Sequence, residues 1–183
     1  MAGEVSVSGP AGLRQTLGAA ILIVGSAGTV GTALLFEHVG GYIPCALCLQ
    51  ERVPYYVSIG LALAALVSAK ARAPAILTRL LLVAIGAVML YGLYLAVYHA
   101  GVEWHFWAGP TDCALAGGAD LGGDLLATID RVQPPACDQA AGRFLGLSFA
   151  GWNVLASALF AFVALRTGLG PADRFAGKAS LRR

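Results

Sequence analysis

Four stretches of this chain carry no Asp, Glu, Lys or Arg over 20, 17, 19 and 21 consecutive residues: 17–36, 53–69, 80–98 and 145–165. At a rise of about 1.5 Å per residue such runs reach roughly 25–32 Å, the thickness of a bilayer's hydrocarbon core. In lipid the backbone must satisfy its own hydrogen bonds, so each run is expected to be a transmembrane α-helix. The composition agrees, with 58% hydrophobic and 12% charged residues, where a soluble domain carries about a quarter charged. The expected fold is an all-α membrane protein, a four-transmembrane-helix bundle forming a single domain over residues 1–183. Gly25, Gly28, Gly31, Gly86 and Gly92 lie inside these runs and are read as places of close helix approach. The first run has a second reading, since residues 17–24 followed by Gly25, Ser26 and Ala27 resemble the core and cleavage region of a signal peptide. Arg14 is the only basic residue before it and the apolar stretch continues to Phe36, which favours an uncleaved span.

Charge gives the orientation, because Lys and Arg near span ends stay on the cytoplasmic side. Arg14, the 70–79 loop and the 166–183 tail hold nine of the twelve cations, so both termini are expected inside. The loops 37–52 and 99–144 then face outward with three cations against eight acids. The long one carries Leu121, Leu125, Leu126, Ile129 and Val132 at helical spacing, a short amphipathic helix expected to lie along the membrane surface or to cap the bundle. A net charge of +2 with no basic run longer than two residues offers no footprint for nucleic acid.

All four cysteines fall in the outward loops: Cys45 and Cys48 in the short one, Cys113 and Cys137 in the long one. An outward face is where disulfides form and last. If the segment from Cys45 is helical, Cys45 sits at the positive end of the helix dipole, Cys48 follows one turn on, and Arg52 lies a further turn along the same face. A helix N-terminus and a guanidinium both favour thiolate over thiol, so this pair is expected to be a reactive, readily reduced disulfide. A four-thiolate zinc site is a poorer fit, since Cys113 and Cys137 lack the second close spacing, and no metal is expected. Two inert disulfides are also a poorer fit, because a Cys45–Cys48 bridge closes too short a loop to constrain the unfolded chain much. Two redox pairs on one surface suggest an electron relay. Exchange only moves oxidation between pairs, so net oxidation needs a final acceptor, and the adjoining apolar span favours a lipid-soluble quinone. Arg52 is the candidate to hold a quinone oxygen, against a bland reading as a snorkelling interfacial cation.

These residues resemble the DsbB disulfide bond formation proteins, bacterial inner-membrane thiol:quinone oxidoreductases. The likeness rests on the four-span layout, Pro44-Cys45-x-x-Cys48-x-x-x-Arg52, Gly109-Pro110 before Cys113, Cys137 late in the long loop, and Phe144-Leu145-Gly146 with Trp152 entering the last span. The resemblance implies that Cys113 and Cys137 form a disulfide that reoxidises a periplasmic, thioredoxin-fold DsbA-like oxidase, with Cys113 taking the mixed disulfide. It further implies that electrons pass to Cys45 and Cys48, with Cys45 bridging transiently to Cys137 and Cys48 meeting ubiquinone or menaquinone from the membrane pool.

Two features blur the pattern. Pro54 lacks the N–H that would bond Gln50, so the helix bearing Cys48 and Arg52 is expected to kink there or to form a separate turn. Near the quinone, where the family places polar groups, this chain offers His99 and Glu103. His99 reads equally as a partner of a quinone carbonyl and as a wet interfacial residue; Glu103 and the stripe Tyr91, Tyr94, Tyr98 read as anchoring and packing, and Glu37, His38 and His105 as interfacial or unassigned. The expected activity is a protein dithiol:quinone oxidoreductase. Its rivals are a quinone reductase like vitamin K epoxide reductase and a non-catalytic membrane protein with structural disulfides.

Overall fold

A computed structural model describes residues 11–110 and 137–170. Cys113 and the expected surface helix around 121–132 lie outside the described residues. Four long helices make up most of the rest: α1 (Leu13–His38), α2 (Ala46–Lys70), α3 (Ala75–Glu103) and α4 (Phe149–Leu169). Each is long and apolar enough to cross a membrane. A two-stranded hairpin, β1 (Arg143–Phe144) and β2 (Leu147–Ser148), leads into α4.

The first three helices run past the charge-free windows because charged side chains at their ends do not break a helix. Glu51 and Arg52 lie in the second turn of α2, Arg79 near the start of α3, and His99 and Glu103 in its last turns. The expected 70–79 loop is therefore only residues 71–74. Arg72 there adopts φ 55°, and the Ala73 N–H returns to the Ser68 carbonyl at 3.0 Å, closing the end of α2. The fourth helix departs the other way, starting at Phe149 rather than 145. Leu145 (φ 51°) and Gly146 (φ 85°) form a two-residue turn with positive φ at both positions, pairing Arg143 with Ser148 and Phe144 with Leu147. Ser148 Oγ then accepts from the Gly151 N–H at 3.1 Å and starts the helix. An apolar run cannot reveal that Leu145 turns left-handed.

The helices alternate in direction, with α3 packed most extensively on α4 and α2, and α1 on α2. Leu22, Tyr55, Leu82, Ile85, Met89 and Phe160 fill the core among small residues such as Ala62 and Ala161. Outside, Leu17, Val24, Leu63, Val67, Leu159 and Phe162 are exposed, the sheath that lipid would cover. A Cβ on Gly25 would lie 2.5 Å from the Phe160 ring, one on Gly86 2.5 Å from Leu165, and one on Gly92 3.1 Å from Pro54. These three are the expected close approaches. Gly28 and Gly31 are not, for nothing lies within 4 Å of where their Cβ would be. Pro54 is accommodated inside one continuous α2, its ring seated against Gly92 of α3.

This alternation gathers the C-terminal ends of α1 and α3, the N-terminal ends of α2 and α4, and the hairpin at one end of the bundle. Both cysteines of the short loop are there.

Candidate active site

Cys45 is the residue before α2, with extended backbone (φ −77°, ψ 172°), and its sulfur accepts from the Cys48 N–H at 3.3 Å. The thiol thus serves as a helix cap, at the place where the dipole favours negative charge. The Sγ atoms of Cys45 and Cys48 are 2.9 Å apart, and both residues are free cysteines. The hydrogen bond from the Cys48 thiol, aided by His99, outweighs the cost of burial and draws the Cys45 thiol from 9.0 down to about 4. Thiolate character, which the spacing alone left with the pair, therefore rests on Cys45.

Behind the sulfurs stands a buried polar chain. His99, near the end of α3, directs Nε2 at Cys45 Sγ (3.7 Å) and Nδ1 at Glu51 Oε1 (3.0 Å). Glu51 Oε2 accepts from Asn153 Nδ2 of α4 at 2.8 Å. Tyr55 donates to Asn153 Oδ1 and lies 2.9 Å from Ser157 Oγ. Three helices thus hold one hydrogen-bonded line from sulfur into the core. Since a carboxylate and a thiolate both only accept, the His99 ring donates to Glu51 from Nδ1 and to the Cys45 thiolate from Nε2. His99 is a buried member of the site and not a wet belt residue. Glu103, expected to anchor the interface, is buried too, its Oε1 4.0 Å from His99 Nε2.

The other face of the pair opens on a cavity of about 480 Å³, the size of a small-molecule site. Cys48 lines it and Cys45 does not. Apolar walls come from Val30, Ala33, Phe36, Ile43, Phe149 and Trp152, and polar points from Arg52, Tyr55, His99 and Asn153. Arg52 also lines this cavity, but its guanidinium donates to Glu37 Oε2 of α1. Glu37 is thereby more than an interfacial residue: its ion pair ties α1 to α2 at the cavity wall. Cys137 is buried, disulfide-bonded, and packed in one apolar cluster with Cys45, Leu47 and Val102.

Sequence reasoning singled out Cys45, Cys48, Cys137, Arg52 and His99, and the fold brings all five to this end. It missed Glu51, Asn153, Tyr55 and Glu37. The available signal was polarity out of place: Asn153 interrupts the fourth apolar run, and Glu51 sits one turn from Cys48 on the same helix.

A family model described as "Disulfide bond formation protein DsbB" matches residues 15–167. The chain belongs to that family. Membership makes it a disulfide-forming membrane oxidoreductase. Among curated proteins, a "Disulfide bond formation protein B" of Aromatoleum aromaticum is 29% identical over 151 residues, covering 76% of this chain and 83% of the relative. An uncharacterized protein of Rickettsia prowazekii is 28% identical over 138 residues, covering 74% and 77%. No solved structure gives a significant match. The match takes in all but the outermost residues of α1 and α4, and with them every side chain of the site just described.

Proposed function

We propose that this protein is a protein dithiol:quinone oxidoreductase of the bacterial inner membrane, reoxidising a periplasmic thioredoxin-fold partner of the DsbA kind. The observation that carries the reading is the division of surroundings within one Cys-x-x-Cys pair. Cys48 lines the cavity, whereas Cys45 does not and is buried in the cluster that contains Cys137, which Cys48 only borders. One sulfur is placed for an acceptor in the cavity and the other for exchange with the long loop. The Cys113–Cys137 disulfide accepts the client's electrons, Cys113 taking the mixed disulfide; Cys45 and Cys137 then exchange, leaving Cys45 and Cys48 reduced.

The cavity suits a quinone ring, with apolar walls for its faces and Arg52 and His99 beside its rim. A bound ubiquinone or menaquinone would take up the two electrons and two protons released as Cys45 and Cys48 close to a disulfide. The remaining work falls to side chains. Arg52, held by Glu37, presents positive charge to the cavity. His99 Nε2 takes or returns the Cys45 proton, and Glu51, steadied by Asn153, holds a proton on Nδ1 so that Nε2 stays toward the sulfur. Cys45 is buried, and Cys48 is half-buried at the cavity.

The test is oxidation of a reduced DsbA-like protein by the purified chain with ubiquinone, following client thiols and quinone absorbance together. The two should change in a 1:1 ratio of disulfide to quinol, and Cys48→Ser should stop both. Client oxidation that continues in Cys48→Ser, or that leaves the quinone unreduced, rules the assignment out.

A further inference from the structure

The reduced pair has companions that thiol chemistry alone does not require. Cys45 Sγ, Cys48 Sγ and a His99 ring nitrogen all lie within 4.8 Å of one another. Glu103 stands beside them: its Oε1 is 4.0 Å from His99 Nε2, and its Oε2 is buried with no hydrogen-bond partner among the described residues. An unpartnered buried carboxylate oxygen is costly, and a cation is one remedy. Between these side chains is a second, small cavity of about 20 Å³, lined by Cys45, Cys48, His99 and Glu103 with Gln139. That volume holds a single water or ion.

We propose that the dithiol form of this centre binds one borderline-soft divalent cation, of which Zn²⁺ is the type, through Cys45, Cys48, His99 and Glu103, and that the bound ion holds the enzyme reduced. The inference rests on the oxidoreductase reading in one respect, that Cys45 and Cys48 pass through a dithiol state.

Tetrahedral zinc, with bonds of about 2.0–2.3 Å, sets its donor atoms roughly 3.3–3.8 Å apart. Cys45 Sγ and His99 Nε2 are already 3.7 Å apart. The sulfurs, at 2.9 Å, must part by roughly 0.9 Å, and Glu103, 4.0 Å from His99 but outside the 4.8 Å within which the other three donors meet, must swing toward them by about 1 Å or more. Both are side-chain adjustments. The outer partners also suit a metal: His99 offers Nε2 inward while Nδ1 faces Glu51, itself held by Asn153, the carboxylate–histidine–metal arrangement that fixes a ligand's tautomer and raises its basicity. Binding requires both sulfurs as thiolates, so a neutral thiol gives up its proton to solvent and no electrons move. A disulfide cannot form until the ion leaves.

The experiment uses the full-length protein in detergent, reduced under argon, incubated with Zn²⁺ and then alkylated, with peptide mapping to separate Cys45 and Cys48 from Cys113 and Cys137. Zn²⁺ should slow alkylation of the Cys45–Cys48 peptide roughly tenfold or more, and a chelator should reverse this. The oxidised protein should show no such site in competition with a chromophoric chelator. Glu51→Gln should weaken Zn²⁺ binding about 10–100-fold, and Glu103→Gln about tenfold or more. Unchanged alkylation in the native chain, which needs no variant, overturns the proposal, as does native affinity in Glu103→Gln. Neither readout uses client or quinone: a chain that protects its thiols with Zn²⁺ yet oxidises no client keeps the metal site and loses the oxidoreductase reading, and the converse result loses the metal site alone.

Discussion

Cys45 gains its acidity from a single neighbour more than from the helix it caps, and that makes the acidity testable. With its pKa lowered from 9.0 to about 4, reduced Cys45 should hold its thiolate absorbance through neutral pH and lose it with a midpoint near pH 4. The sign for stability follows: a depressed pKa favours the folded reduced state fully above pH 9.0, progressively less as pH falls, and not at all below about pH 4. Cys48→Ala removes the strongest donor to that sulfur, so the midpoint should move upward; an unmoved midpoint assigns the acidity elsewhere. Arg52 is the second residue whose role can be isolated. Arg52→His removes the guanidinium at the cavity wall and leaves Glu37 without its partner. Losing a charge-assisted hydrogen bond of about 1.5–3 kcal/mol should raise the KM for quinone roughly 10–100-fold, with exchange at Cys113 and Cys137 unchanged. Equal quinone KM in both proteins would remove Arg52 from the site. The cysteines and Arg52 were legible because their spacing carries chemistry by itself. Glu51 and Glu37 were not, because a carboxylate beside a span reads as solvated until the partner that buries it is known. Those partners, His99, Asn153 and Arg52, come from other elements, at separations no local pattern encodes.

At the level of elements, uninterrupted apolar length was enough to locate four helices, but not where they end. Helix ends are set by caps and turns: Cys45 for α2, Ser148 for α4, Arg72 beyond α2, and the Leu145-Gly146 turn that keeps the hairpin out of α4. The glycines divide in the same way. Gly25 is pressed against Phe160, so Gly25→Ala forces that ring aside and should destabilise the protein by about 1–3 kcal/mol. Gly31 meets nothing within 4 Å, and Gly31→Ala should be neutral or stabilising by up to about 1 kcal/mol through helix propensity. Thermal unfolding in detergent reads both, and equal Tm values would contradict the packing of α1 on α4. Tyr55 joins α2 to α4 through Asn153 and Ser157. Tyr55→Phe leaves Asn153 Oδ1 without its donor and the Ser157 hydroxyl without its acceptor, at a cost of about 1–3 kcal/mol in the same measurement.

Across the whole molecule, the chemistry and most of the cations of the described residues occupy opposite ends. The four helices alternate, so Cys45, Cys48, His99 and Cys137 share one end while the α2–α3 turn with Lys70 and Arg72, and Arg79 just beyond it, marks the other. Arg79 reaches across that far end to the Gly170 carbonyl at the close of α4. The separation has a physical use, since cations resist transfer across the membrane and an oxidising compartment lies on the side they avoid. Orientation is therefore expected to follow the basic end: cytoplasm at 71–74 and at the C-terminus, periplasm at 39–44. Alkaline phosphatase, which folds only after export, should be inactive when fused after Arg183 and active when inserted within 39–44, and a fluorescent protein that matures in the cytoplasm should give the reverse pattern. Neutralising Lys70 and Arg72 together weakens the bias without touching the site, so these two alone should raise phosphatase activity of the C-terminal fusion. An active phosphatase at the unmodified C-terminus would put the cysteine pairs in the reducing compartment, where a disulfide-generating relay has no standing substrate.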